Sequence, residues 1–371
     1  MTEEVVTEAT AARGDSLFGP NADAFFAGCA SGLRTSAPGA AALLLGGDAT
    51  LADNGALHIA ATIAAATGAA LLCENGFARI DRGDALPALT RLPYFPREAA
   101  KALSAFSCLV LIDCKLPVPM FGYASGPRDV VSLSEDAIWE IDAQDAVAAL
   151  RKLASALDIP LAALTPQMAT KAVASRELSQ ELRAARDQAL TPPLLCAVVA
   201  ALQPANAIVV DESLTSGTEY WMRSANAPAF SHLTLTGGAI GQGPPMAVGA
   251  AVACPTRRVI NFQADGSGLY SAQALWTQAR EQLDIVTIIC ANNKYNILRI
   301  ELALQRVNCT ASAGVGRSLT DLSQPSVDWV SLAKGFGVAN ATRATTVGEL
   351  ADQLAAALAR KGPSLIEACL P

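Results

Sequence analysis

Charge is scarce in this chain: only 16% of its 371 residues are Asp, Glu, Lys or Arg, and the 27 Lys and Arg are outnumbered by 34 Asp and Glu, for a net charge of −7. Broad affinity for nucleic-acid phosphates or for an anionic membrane needs clustered cations, so neither partner is expected. A small anion remains compatible, because backbone N–H groups bind one without help from Lys or Arg. Long unbroken apolar runs are missing as well, which excludes an ordinary membrane-spanning helix. The opening MTEEVVTEATAARGDS is acidic and has neither the apolar core of a signal peptide nor the acid-poor character of a transit peptide. The expectation is a cytoplasmic protein. Nine cysteines are present without CxxC spacing. Cys108, Cys196, Cys254 and Cys290 lie in or beside apolar segments and read as core thiols in a reducing compartment. Internal repeats and low-complexity tracts are absent too.

The 51% of apolar residues is enough for a large core, and the length suggests two domains, with a third possible. Residues 1–20 read as a frayed leader, after which Asn21 or Asp23 is placed to cap a helix through AFFAGCASGLR. From there to residue 163 apolar strands (AALLLGG, AALLCEN, CLVLIDC) alternate with helices (GALHIAATIAAATG, PREAAKALSAF, DAVAALRKLASALD). This βαβ rhythm predicts a parallel sheet clothed by helices. Residues 164–188 are polar and periodic, as a connecting helix would be. A second α/β unit occupies 189–371, with strands at AIVVDE, RVINFQADG, DIVTIICANN and SLIEACL. The fold class expected is therefore α/β, with two doubly wound parallel-sheet domains.

Ligands of an open parallel sheet settle outside the carboxyl ends of its strands. Two strands of the second unit end in polar clusters there, VINFQADGSG and IVTIICANNKYN, and one helix around LYSAQALWTQAREQ separates them. A right-handed crossover then puts Asp265 and Asn293 at the same edge. A carboxylate, an amide oxygen and a main-chain carbonyl are hard donors suited to Mg2+ or Ca2+ that also binds phosphate oxygens. Gly266 and Ser267 open the helix, where backbone N–H groups and the Ser267 hydroxyl favour a phosphate. The plain alternative is that Asp265 merely caps a helix.

ADG, twenty-five intervening residues and NN resemble the GDG…NN motif of thiamin diphosphate-dependent enzymes. Ala264 stands where the family carries glycine, a change that adds one methyl group and removes no ligand. Further segments carry the same resemblance: VVDESLTSGTEYW, LTGGAIGQGPPMAVGAAVACPTRRVINFQADGSGLYSAQALWTQ and the tail from LAKGFG are similar to the diphosphate-binding domain of the acetolactate synthase and benzoylformate decarboxylase group. LLLGGDATLADNGALHIAATIAAATG, continuing to PYFP, resembles the central domain of acetolactate synthase-like large subunits.

The resemblance implies a metal held by Asp265, Asn293 (or Asn292) and the carbonyl of Tyr295. It implies cofactor contacts from Thr215, Ser216, Gly238, Ala239, Ile240, Gly266, Ser267 and Tyr295. The Gly238 carbonyl would face the aminopyrimidine, and Ile240 would support the bent cofactor. The same GGAIGQG glycines also suit a plain tight turn. Leu214 replaces a polar residue of relatives.

The implied cofactors are thiamin diphosphate and Mg2+, and the implied activity is that of a 2-oxo acid decarboxylase or carboligase, a lyase or transferase acting on a small 2-oxo acid. The family's catalytic glutamate comes from a pyrimidine-binding domain that this sequence does not display, so the catalytic residue is unassigned. Either a pyrimidine-domain partner or a homo-oligomer is implied, and the alternative is a regulatory half-site that binds the cofactor without turnover, or a remnant that binds nothing. Glu212 reads as a structural support, His58 as a satisfied helix residue and His232 as a weak candidate for the substrate side. Tyr270 and Trp276 read as packing residues. LGGDA leaves a flavin or nicotinamide site open on slender grounds.

Overall fold

The computed structural model describes residues 12–13, 19, 21–123, 126–141, 145–160, 179–304 and 314–371. The leader assigned to residues 1–20 lies almost wholly outside these. So does most of the connecting helix expected at 164–188, of which 179–188 is described and holds a short helix, Gln180–Ala184. The chain divides into two compact units, residues 1–81 with 86–170, and residues 82–85 with 171–371.

The first unit contains β1 (Ala12–Arg13), β2 (Ala41–Leu45), β3 (Ala70–Cys73), β5 (Thr90–Arg91), β6 (Cys108–Ile112) and β7 (Ile138–Ile141), while β4 (Arg79–Arg82) spans the division between the units. Its sheet runs β1-β7-β6-β2-β3-β5, with every neighbouring pair parallel. The two central strands AALLL and CLVLI are buried along their whole length, as a parallel strand covered on both faces must be. Helix boundaries follow local chemistry. Gly55 and Gly68, both at positive φ, bracket Ala56–Thr67, and the Asp145 carboxylate caps Ala146–Ala156 by accepting from Ala148 N. The helix Ala22–Thr35 starts after Asn21, but without the side-chain cap expected there; its first turn is closed instead by backbone bonds from Ala22 N to Gly19 O and from Phe25 N to Asn21 O.

The second unit is built on β8 (Ile208–Glu212), β9 (Phe230–Thr234), β10 (Val259–Ala264), β11 (Ile285–Ala291), β12 (Asn340–Ala344) and β13 (Ser364–Cys369). They run in the order β12-β13-β11-β10-β8-β9, again all parallel. The chain passes from β8 to β9 on one side and then crosses to β10 on the other, so the strand order reverses between β8 and β10. That reversal opens a crevice at the carboxyl ends. Apolar side chains from β8, β10, β11 and β13 join the helices Pro192–Leu202 and Val347–Ala359 in the main core. The crossover from β10 to β11 is broken into Asp265–Gly268, a 3-10 turn Leu269–Ser271, and Ala274–Arg280 rather than forming one continuous helix.

Eight cysteines are described and all are free thiols; Cys309 lies outside the described residues. Burial pushes the Cys196 thiol up to about 12 and that of Cys108 to about 11, so both are protonated and unreactive at neutral pH. Among the described residues no helix is long and apolar enough to cross a membrane.

Candidate functional site

Register sets the level of the strand ends. Gln263 pairs with Glu212 on one side and with Ile289 on the other, so β8, β10 and β11 deliver Glu212, Ala264 and Ala291 to the same edge. Directly beyond them come three polar segments. Asp265 follows β10, Asn292 and Asn293 follow β11, and Thr215 and Ser216 follow β8.

These segments are tied together. One carboxylate oxygen of Asp265 accepts from Asn293 N at 2.6 Å, and the other accepts from Gly266 N at 2.8 Å. Asn293 can take that position because its backbone is left-handed at φ 53°, a region in which Asn is among the better tolerated residues. Asn292 Nδ2 reaches Ser216 Oγ at 3.4 Å, and Asn296 Nδ2 reaches Thr215 Oγ1 at the same distance. Asp265, Asn292, Asn293, Thr215 and Ser216 are thereby brought into one group. Burial pushes the Asp265 carboxyl above the usual range, while the N–H groups of Asn293 and Gly266 pull it back toward ionisation. Such a half-desolvated carboxylate gains from a cation nearby.

Tyr295 closes one side. Its ring lies so near Gly266 that a Cβ there would stand 2.4 Å from Tyr295 Cε1, and its main-chain N–H donates to Thr320 O. Burial, with Tyr270 and Asp265 nearby, raises the Tyr295 hydroxyl above its ordinary value. Ser267 is buried, and its hydroxyl is engaged with the Gln263 side chain at 2.6 Å and the Ala264 carbonyl at 3.3 Å. Ala264 itself has φ −71° and ψ 147°, an extended conformation open to any residue. The alanine in place of glycine is therefore free of strain.

The turn after β9 stands at the same edge. Gly237, Gly238 and Gly241 have positive φ, and Gly238 and Ala239 are exposed while Ile240 is half-buried. At Gly241 a side chain is excluded twice, by φ 90° and by Tyr270 Cβ 2.6 Å from where its Cβ would stand. Ser271 Oγ donates to Gly241 O at 2.6 Å, and Gln242 Oε1 accepts from Thr236 N at 3.3 Å. Glu212, fully buried, accepts from Gly241 N at 2.6 Å through one oxygen and from Gly243 N through the other. Both of its oxygens serve the backbone of this turn.

His232, the minor candidate for the substrate side, lies in β9 with no exposed surface, its Nε2 3.2 Å from Asp211 Oδ2. Tyr270 and Trp276, read as packing residues, are 62% and 51% exposed, with Tyr270 Cβ against Gly241 and the Trp276 ring 4.9 Å from the Arg280 guanidinium. His58 is half-buried in its helix, but among the described residues its buried Nδ1 has no hydrogen-bond partner, so it is not the satisfied residue expected. Sequence reasoning missed Asn261, Gln263, Ser271 and Asn296. The polar Asn261 and Gln263 inside the apolar run VINFQ were the available signal for two of them.

The donor set fits a hard divalent cation bound with a diphosphate: one carboxylate, neighbouring amide and carbonyl oxygens, and two hydroxyl side chains. Among the described residues no cluster of three or more His, Cys, Asp or Glu offers a competing metal centre.

Residues 215–368 match the family model of the thiamine pyrophosphate enzyme C-terminal TPP binding domain. Over 344 residues, 91% of this chain, the sequence is 44% identical to a Mycobacterium tuberculosis protein provisionally named acetolactate synthase large subunit IlvX, of which 62% is covered. It is 36% identical over 178 residues to benzoylformate decarboxylase of Pseudomonas aeruginosa, covering 48% of this chain and 32% of that one. Among solved structures, the thiamine diphosphate-dependent 4-hydroxybenzoylformate decarboxylase of Rhodococcus jostii superposes with TM-score 0.68 at 24% identity, over 93% of this chain and 63% of the other. That likeness establishes the doubly wound α/β fold. The chain thus spans about three fifths of the length of the relatives it matches from end to end.

Proposed function

We propose, from a chain that is a relative of the thiamin diphosphate-dependent enzymes over their C-terminal part, that the second unit binds thiamin diphosphate with Mg2+ and serves the decarboxylation or carboligation of a small 2-oxo acid. The observation that carries this reading is the direct bond between Asp265 and the backbone of Asn293, which holds the ends of β10 and β11 together beside Thr215 and Ser216. Asp265, an asparagine side chain of the Asn292–Asn293 pair and the Tyr295 carbonyl are the proposed metal donors. Thr215, Ser216, Gly266 and Ser267 line the diphosphate end, and Gly238, Ala239 and Ile240 the pyrimidine end. The cofactor supplies the carbon nucleophile for attack on the 2-oxo acid. The protein binds and orients it and shields it from water.

Glu212 does not supply the glutamate that the resemblance requires, because its two oxygens are already taken by Gly241 and Gly243. That acid is proposed to come in trans, from the pyrimidine-binding domain of a partner chain. The same observation favours the second reading, a half-site that binds the cofactor without turnover.

Calorimetry of the purified chain with thiamin diphosphate and Mg2+ tests the first step. Asp265→Ala is expected to abolish the Mg2+-dependent part of diphosphate binding while circular dichroism stays that of the folded chain, and an unchanged affinity would show that the site lies elsewhere. Consumption of pyruvate or benzoylformate, with and without a pyrimidine-domain protein, separates the enzyme from the half-site.

A further inference from the structure

Glu212 is a buried carboxylate with no ion-pair partner among the described residues, and its surroundings explain how it is tolerated. Around Gly243 three acceptor oxygens converge: Gln263 Oε1, Glu212 Oε2 and Asn261 Oδ1 lie 2.1, 3.0 and 3.2 Å from the point where a Cβ on Gly243 would stand. Asn261 and Gln263 have no exposed surface, and among the described residues neither amide oxygen has a hydrogen-bond partner. Three oxygens facing one another in a dry interior repel. A half-turn of each side-chain amide leaves every heavy-atom position in place and presents N–H groups to the carboxylate. It also hands the two amide oxygens to the hydroxyls of Ser267 and Thr287, each of which donates to them by turning its single O–H from its present acceptor, Ala264 O or Gln278 Oε1.

We propose that Glu212 is the positioning residue of the turn from Gly237 to Gly243, its carboxylate held by the N–H groups of Gly241 and Gly243 and by the amides of Asn261 and Gln263. This inference rests on the cofactor reading above. Its consequence is selective: the grip fixes the turn proposed for the pyrimidine, while the diphosphate end is fixed chiefly by Asp265 and the segments after β8 and β11, to which Gln263 adds its bond to Ser267. Glu212 touches no ligand. Its effect reaches the cofactor only through the backbone of the turn, and Gly243 has to be glycine because any side chain there would displace these oxygens.

The test compares two probes, thiamin diphosphate and inorganic pyrophosphate, by calorimetry on the full chain with Mg2+ present, alongside urea unfolding. Glu212→Gln is expected to weaken thiamin diphosphate binding at least tenfold while pyrophosphate affinity stays within twofold. Glu212→Asp, which keeps the charge but shortens the reach, is expected to recover part of that loss. Asn261→Leu removes one supporting donor and leaves the turn's own residues unchanged, and is expected to lower thiamin diphosphate affinity severalfold with pyrophosphate unchanged; it keeps the test open should Glu212→Gln fail to fold. Equal loss of both probes, or no loss of either, overturns the positioning role. A wild-type chain that binds neither probe overturns the cofactor reading itself, a result distinct from either of those.

Discussion

Asp211 is half-buried in the second unit, where desolvation alone would raise its carboxyl, but the contact from His232 and then two hydrogen bonds from Ser213 outweigh this and hold it below the usual range. A carboxyl depressed by folding contributes stability that is fully present above its unfolded value, about 3.9, and is lost as pH falls through the folded one. Replacing it leaves His232 and Ser213 facing a neutral group in the core. Asp211→Asn is expected to cost about 3 kcal/mol at pH 7, within the range for breaking a buried pair. Urea midpoints measured from pH 7 down to pH 2 should show the gap between wild type and variant closing below about pH 4. A gap that stays constant across this range would mean that the carboxylate's charge plays no part. Position in sequence, just before GGAIG, makes His232 only a minor candidate for the substrate side, and its contact is instead with Asp211, twenty-one residues away on the adjacent strand.

At the scale of single elements, the turn after β10 joins fold to site. Ala264 ends the strand in an extended conformation and precedes Asp265 at the start of the helix, so no glycine is needed there. Ala264→Gly, which restores the residue of the resembling motif, is expected to destabilise by about 0.5–1 kcal/mol through the unfolded chain's added freedom. Thiamin diphosphate affinity should stay within twofold, and a severalfold gain would show that the methyl crowds the ligand.

The elements legible in the sequence were those with strong local signals: the fully apolar runs of β2 and β6, the run of β11 broken only by Thr287, and the helices bounded by Gly55, Gly68 and Asp145. Short or mixed strands were not legible. β9 and β12 carry His232 and Arg343 within their runs, and their strand character comes from sheet neighbours rather than from local pattern. At the site the same division holds. Asp265 and Asn293 follow strong strands and could be placed, whereas the bonds from Asn296 to Thr215 and from Ser271 to Gly241 depend on crossovers that no spacing encodes.

At the scale of the whole molecule, the second unit is assembled from discontinuous chain, since residues 82–85 belong with it although 86–170 intervene. Arg82 is what makes this short segment part of the unit. Its guanidinium lies 3.7 Å from the centre of the Trp221 ring and donates to Trp221 O at 2.5 Å and to Ser224 Oγ at 3.1 Å, with only 7% of the residue exposed. Asp84 N adds a bond to Ala227 O at 2.6 Å. A planar cation stacked on indole while donating to two oxygens uses the geometry that separates Arg from Lys. Arg82→Ala is therefore expected to lower stability by about 2 kcal/mol, combining the lost stack with acceptors left without their donor. Arg82→Lys should recover less than half, because an ammonium cannot stack and bridge both oxygens at once. Urea unfolding followed by circular dichroism measures both variants. Full recovery by lysine would reduce the interaction to simple charge, and an unchanged midpoint for the alanine variant would detach residues 82–85 from the unit.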